Sequence, residues 1–147
     1  MLIEEKEQLI DNLTNKYSLG ASLIENTDMK KRRVLLVEDD SLSVKLYVKL
    51  LSKWGYDVSY ANNGMLALEM LEEESYDLLL TDNQLPLMTG SELVEKVMKT
   101  RPTLKTLIVT GDSASLFASL TKTTVLRKPI IPDYLKFRIN QILVSNT

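Results

Sequence analysis

The feature that most constrains this chain is a run of four apolar residues, Val34-Leu35-Leu36-Val37, closed at once by three acids, Glu38-Asp39-Asp40. A short, unbroken apolar run of strand formers is what a strand needs when both of its faces are buried. A sheet covered on both sides by helices offers that environment, so the run argues for an α/β fold. The next segment agrees. Val44, Tyr47, Val48 and Leu51 recur at helical spacing, and Gly55 stands where a helix C-cap glycine belongs.

The same alternation continues along the chain. Residues 56–61 read as a second strand, Asn62-Asn63-Gly64 as a turn, and 65–74 as a helix. Leu78-Leu79-Leu80 predicts a third strand, followed by a loop containing Pro86 and a helix over 91–100 that Arg101-Pro102 stops. A fourth strand over 104–109, a short helix over 113–120 and a weak fifth strand over 124–127 complete the pattern. Pro132 then opens a last helix to about residue 144, at the first helical position that suits proline. Five strands alternating with five helices imply one doubly wound parallel sheet over residues 30–147.

Residues 1–29 differ in character. Leu2, Leu9 and Leu13 with Ile3, Ile10 and Tyr17 fall on one face of an amphipathic helix, and Ser18-Leu19-Gly20 interrupts it. They are expected to form a helical extension and linker. The pattern lasts barely two heptads, short of a coiled coil, so packing or fraying of this helix is favoured over dimerisation through it. Lys30-Lys31-Arg32-Arg33 reads as a solvated approach to the first strand.

Composition narrows the chemistry. The 147 residues include no cysteine and no histidine, which removes disulfide frameworks, thiol catalysis, His-ligated metals, Ser-His-Asp triads and any phosphohistidine carried by the chain itself. Eighteen basic against twenty acidic residues give a net charge of −2, without the basic excess of a nucleic-acid-binding domain. No apolar stretch approaches the roughly 18 residues of a membrane span, and the acidic N-terminus is unlike a signal peptide. A cytoplasmic domain working through carboxylates, hydroxyls and amines is expected.

In doubly wound sheets ligands bind beyond the carboxyl ends of the strands. The residues that close each apolar run are therefore the informative ones. Strand one ends in Glu38-Asp39-Asp40, strand three in Asp82, strand four in Thr110 and strand five in Lys128, whereas strand two ends in Ala61-Asn62. With strand order 2-1-3-4-5, one of the common orders for such sheets, the four polar ends share one edge and strand two lies outside. Glu38, Asp39 and Asp82 brought together repel one another unless a cation lies between them. Oxygen donors alone point to a hard ion such as Mg²⁺. Lys128 and Thr110 are suited to phosphoryl oxygens, and the set is sufficient for phosphoryl transfer onto Asp82. Any one of these residues alone reads as an ordinary polar loop residue.

These fragments, in this order, resemble the receiver domain of bacterial two-component response regulators, chemotaxis-regulator-like in kind. The resemblance rests on Val34 to Asp39, Ala61-Asn62-Asn63-Gly64 with Ala67-Leu68, and Asp77 to Asp82 running into Leu85-Pro86-Leu87-Met88-Thr89-Gly90. Val109-Thr110-Gly111 and Lys128-Pro129 complete it. It covers about residues 33–145 and implies a flavodoxin-like fold, with Asp82 as phosphoacceptor. It further implies Mg²⁺ held by Asp39, Asp82, Glu38 through water and the Gln84 carbonyl. Lys128, Thr110 and the amides of Asn83 and Gly111 would hold phosphoryl oxygens, and Lys128-Pro129 is expected to be cis. The implied partner is a sensor histidine kinase or histidine phosphotransfer protein. The chain would assist its own phosphorylation and dephosphorylation without being an enzyme in the ordinary sense. Because it ends at Thr147, after the last predicted helix, no output domain is expected, and it would switch or relay a signal to another protein.

Two departures stand out. Three residues before Lys128, where the family commonly carries Tyr or Phe, is Val125. The interval from Thr110 to Lys128 is also a few residues short. Both bear on how the phosphorylated state is read out, so the switch must run on something else or be weak. Three other functions compete. A receiver fold kept as a binding scaffold would leave phosphorylation unused, and the full acid, threonine and lysine set argues against that. A haloacid-dehalogenase-type phosphatase needs a second acid two residues after the nucleophile, where Gln84 stands. A flavodoxin-like electron carrier needs a phosphate loop after strand one, where three acids would repel the phosphate.

Overall fold

A computed structural model describes residues 30–145, and the expected helical extension over 1–29 lies outside the described residues. Ten elements follow in order: β1 (Arg33–Val37), α1 (Ser41–Lys53), β2 (Asp57–Ala61), α2 (Gly64–Glu73), β3 (Leu78–Asp82), α3 (Gly90–Thr100), β4 (Lys105–Thr110), a 3-10 turn (Ala114–Phe117), β5 (Thr124–Arg127) and α4 (Pro132–Val144). The strands form one sheet in the order β2-β1-β3-β4-β5, and every neighbouring pair is parallel. The expected doubly wound sheet of flavodoxin-like order is thus the observed fold.

Alternation along the inner strands divides the core into two layers. Val34 and Leu36 of β1, with Leu78 and Leu80 of β3, pack under α1 and α4 against Leu51, Leu135 and Ile139. Leu35, Val37 and Leu79 face the opposite way, against Ala67 and Leu71 of α2 and Leu93, Val94 and Val97 of α3. All five residues of β3 are buried, which explains why its apolar run shows no alternation. Each fully buried leucine contributes on the order of 2 kcal/mol.

Local chemistry sets the helix starts. Asp40 accepts from the Ser43 amide at 3.0 Å, Asn63 from Leu66 at 2.9 Å and Thr89 from Glu92 at 3.1 Å, while Pro132 opens α4. Gly55, at φ +94°, follows α1 as its sequence position predicts. β3 runs two residues past the expected Leu80, so Asp82 is itself the last strand residue.

The expected helix over 113–120 is a correction: the described residues contain four α-helices, and this segment makes only a 3-10 turn. Of residues 111–119 only Phe117 is buried, so no apolar stripe exists to hold a longer helix against the sheet. Ser113 also turns its hydroxyl oxygen to the Ser115 amide, a local bond that competes with helix propagation.

Candidate functional site

The carboxyl edge of the sheet gathers the polar residues that end β1, β3, β4 and β5. Glu38 continues β1 by donating its amide to the Ala61 carbonyl at 3.0 Å, which fixes it beside β2 and buries its side chain. Asp39 is exposed, and Asp40 is spent on capping α1. Asp82 is 7 % exposed. One carboxylate oxygen from each of Glu38, Asp39 and Asp82 lies within 4.8 Å of the others.

Lys128 crosses to this cluster from beyond β5. Its amide donates to the Thr110 carbonyl at 2.7 Å, and its Nζ lies 3.0 Å from Asp82 Oδ2. The peptide from Lys128 to Pro129 is cis, as expected. Thr110 closes β4 one residue beyond the Asp82–Val109 register pair and is fully buried. Its Oγ1 accepts from the Asp112 amide at 3.0 Å. A side chain built on Gly111 would meet nothing within 4 Å.

Two backbone placements redistribute the expected roles. The Asn83 amide donates to the Val109 carbonyl at 3.1 Å, whereas the Gln84 amide donates to Asp82 Oδ1 at 3.2 Å. Asn83 instead anchors α3, its side-chain oxygen accepting from the Ser91 amide at 2.9 Å and its carbonyl from Gly90 at 2.9 Å. Gly90 is required here, because a Cβ would sit 2.4 Å from the Asp82 carbonyl oxygen. Side-chain spacing carries no signal for which amide faces the carboxylate.

The electrostatics are those of an acid cluster short of cations. Burial pushes Glu38 up to about 7; the Asp40 amide pulls the other way, and the charge of Asp82 raises it further. Tyr47, buried in the α1 layer, is pushed up to about 12, chiefly by burial and then by the charges of Glu38 and Asp82. Its place beneath the acids was not foreseen from its spacing, which marked it only as core. The cluster has the donor set of a hard divalent ion: oxygen atoms only, one carboxyl that ionises reluctantly, and a single lysine on one Asp82 oxygen. A cavity of about 650 Å³ lies at the opposite edge of the sheet, lined by residues such as Arg32, Asp77 and Lys105, and takes no part in this chemistry.

A five-stranded parallel sheet of this order, with its acids, threonine and lysine at one edge, is the architecture of a receiver-like class of α/β domain. The family model for the response regulator receiver domain matches residues 34–140, and the chain belongs to that family, a component of two-component signalling. It is 43% identical over 83 residues to the response regulator receiver protein CpdR of Brucella abortus, covering 56% of this chain and 69% of that one. It is 37% identical over 81 residues to the transcriptional regulatory protein ZraR of Klebsiella oxytoca, spanning 55% of this chain but only 18% of that relative. Among solved structures it resembles a CheY-like receiver domain protein from Methanospirillum hungatei, with TM-score 0.73 and 33% identity, covering 78% of this chain and 94% of that one. No helix among the described residues is long and apolar enough to cross a membrane.

Proposed function

We propose that Asp82 accepts a phosphoryl group from a phosphohistidine on a partner kinase or phosphotransfer protein. The observation that carries this is the convergence of Glu38, Asp39 and Asp82 within 4.8 Å, with Lys128 on Asp82. A carboxylate oxygen of Asp82 attacks phosphorus, the bond from phosphorus to the donor's imidazole nitrogen breaks, and that nitrogen keeps the electron pair. Asp39 and Asp82, with Glu38 through water and the Gln84 carbonyl, would hold a Mg²⁺ ion, which would supply charge neutralisation to the phosphoryl oxygens. Lys128 balances a further oxygen, Thr110 donates its hydroxyl to another, and the Gly111 and Gln84 amides complete the cradle. Gln84 thus takes the amide role expected of Asn83. The protein acts as a cytoplasmic phosphoacceptor that assists its own phosphorylation and hydrolysis, and not as an enzyme on a separate substrate.

Intact mass after incubation with Mg²⁺ and acetyl phosphate tests this directly. One labile phosphoryl group is expected, absent in Asp82→Asn and in chelator. No gain in the wild type would leave the family fold serving as a binding scaffold.

A further inference from the structure

Between β4 and β5 the chain makes a 3-10 turn and then two tight turns, with no α-helix beside α3. The Leu120 amide donates to the Phe117 carbonyl at 3.0 Å, and the Thr123 amide to the Leu120 carbonyl at 3.1 Å. Thr123 is tied in turn to the start of β4, its Oγ1 lying 2.8 Å from Oγ1 of the buried Thr106. This wall is therefore fixed before any ligand arrives. Facing it, Glu95, Met98, Lys99 and Pro102 recur at i, i+3, i+4 and i+7 along α3 and just past its end. A groove of about 360 Å³ separates the two.

The floor of the groove is apolar and its rim is cationic. Met98 and Leu120 pack against the core layer that contains Val97 and Phe117, and Pro102 extends their surface. Lys99 and Lys122 line the groove with Glu95 as its one acid, on a chain whose net charge is −2. All three are exposed, and among the described residues none of them makes an ion pair. Lys99 complements the negative end of α3, but Lys122 is on no helix and that reason does not extend to it. Ligand pockets run from roughly 300 to 1,000 Å³. A groove at the bottom of that range suits an anchoring side chain and not a whole cofactor.

We propose that this groove docks a short acidic segment of a partner protein, whose apolar side chain fills the floor while neighbouring carboxylates meet Lys99 and Lys122. The site lies before β4 and β5, at the amino ends of strands whose carboxyl ends lead into Thr110 and Lys128. The length of β4 alone, about 20 Å, separates it from the acid cluster. A partner seated there leaves Asp82 open to a phosphodonor, and the proposal does not depend on phosphorylation.

The test uses the full chain, ¹⁵N-labelled, and a fluorescent peptide in which two phenylalanines are flanked by glutamates. One control peptide replaces the glutamates by lysines, and another the phenylalanines by alanines. Fluorescence polarisation is expected to give a Kd of about 100 µM for the acidic peptide, as suits a small interface. Either control is expected to bind at least about ten-fold more weakly. Shifts of amide signals are expected to concentrate in residues 95–102 and 119–123. Lys99→Glu combined with Lys122→Glu is expected to reverse the preference in favour of the lysine peptide. Glu95→Gln is expected to tighten the acidic peptide about two-fold. These side chains are exposed, so the fold is not at risk. Equal binding of the acidic and lysine peptides, shifts confined to other residues, or an unchanged preference in the double variant overturns the proposal. No binding of the acidic peptide up to about 1 mM does so too. A dimer in sedimentation equilibrium whose dissociation on dilution shifts these same amides assigns the groove to a second copy, and also overturns it.

Discussion

Glu38 holds its proton unusually firmly because it is buried beside Asp82, and this has a defined consequence for stability. In the unfolded chain the group ionises at its ordinary value near 4.5, whereas in the fold it does so near 7. Between those values the folded state binds more protons than the unfolded one, so stability falls as pH rises and the cost persists above pH 7. In chelator, urea unfolding is expected to show wild type losing stability from pH 5 to pH 8 relative to Glu38→Gln; parallel pH profiles would contradict the assignment. A second residue carries strain of another kind. Leu87 sits at φ +73° with the Met88 amide donating to the Pro86 carbonyl at 2.9 Å, the pattern of a strained γ-turn. It is 83 % exposed, so little packing offsets the strain. Leu87→Gly is expected to raise stability by up to about 1 kcal/mol in urea titration.

At the scale of elements, the decisive join is between β3 and α3. Thr89 caps the helix, Asn83 holds its first amides, and Gly90 lets it approach the Asp82 carbonyl. Gly90→Ala is expected to cost about 1–3 kcal/mol, because the atom it strikes is backbone. It should also slow phosphorylation by acetyl phosphate, whereas an equal rate would show that Asp82 tolerates the shift. These elements were legible in the sequence where periodicity or a cap spelled them out: β1 from its apolar run, α1 from its stripe, α4 from Pro132. The turn after β4 was not, since a serine-rich segment shows helix-compatible composition whether or not a core face exists for it. Nor could spacing reveal that Gln84, and not Asn83, turns its amide to Asp82. That orientation is set by the β4 carbonyl that captures its neighbour.

Across the whole molecule, the edge chemistry was readable because a parallel sheet brings every strand's carboxyl end to one side. Glu38, Asp39, Asp82, Thr110 and Lys128 could be grouped before their distances were known, given the strand order. What stayed hidden was set by contacts between distant segments, such as Tyr47 beneath the acids and Phe117 under β5. The close approach of Gly90 has a mechanical corollary. With the main chain of Asp82 braced by α3 on one side and by β1 and β4 on the others, that wall of the pocket is stiff. A shift of the Asp82 main chain must therefore carry the start of α3 with it, much as the jaw of a vice cannot move without its frame.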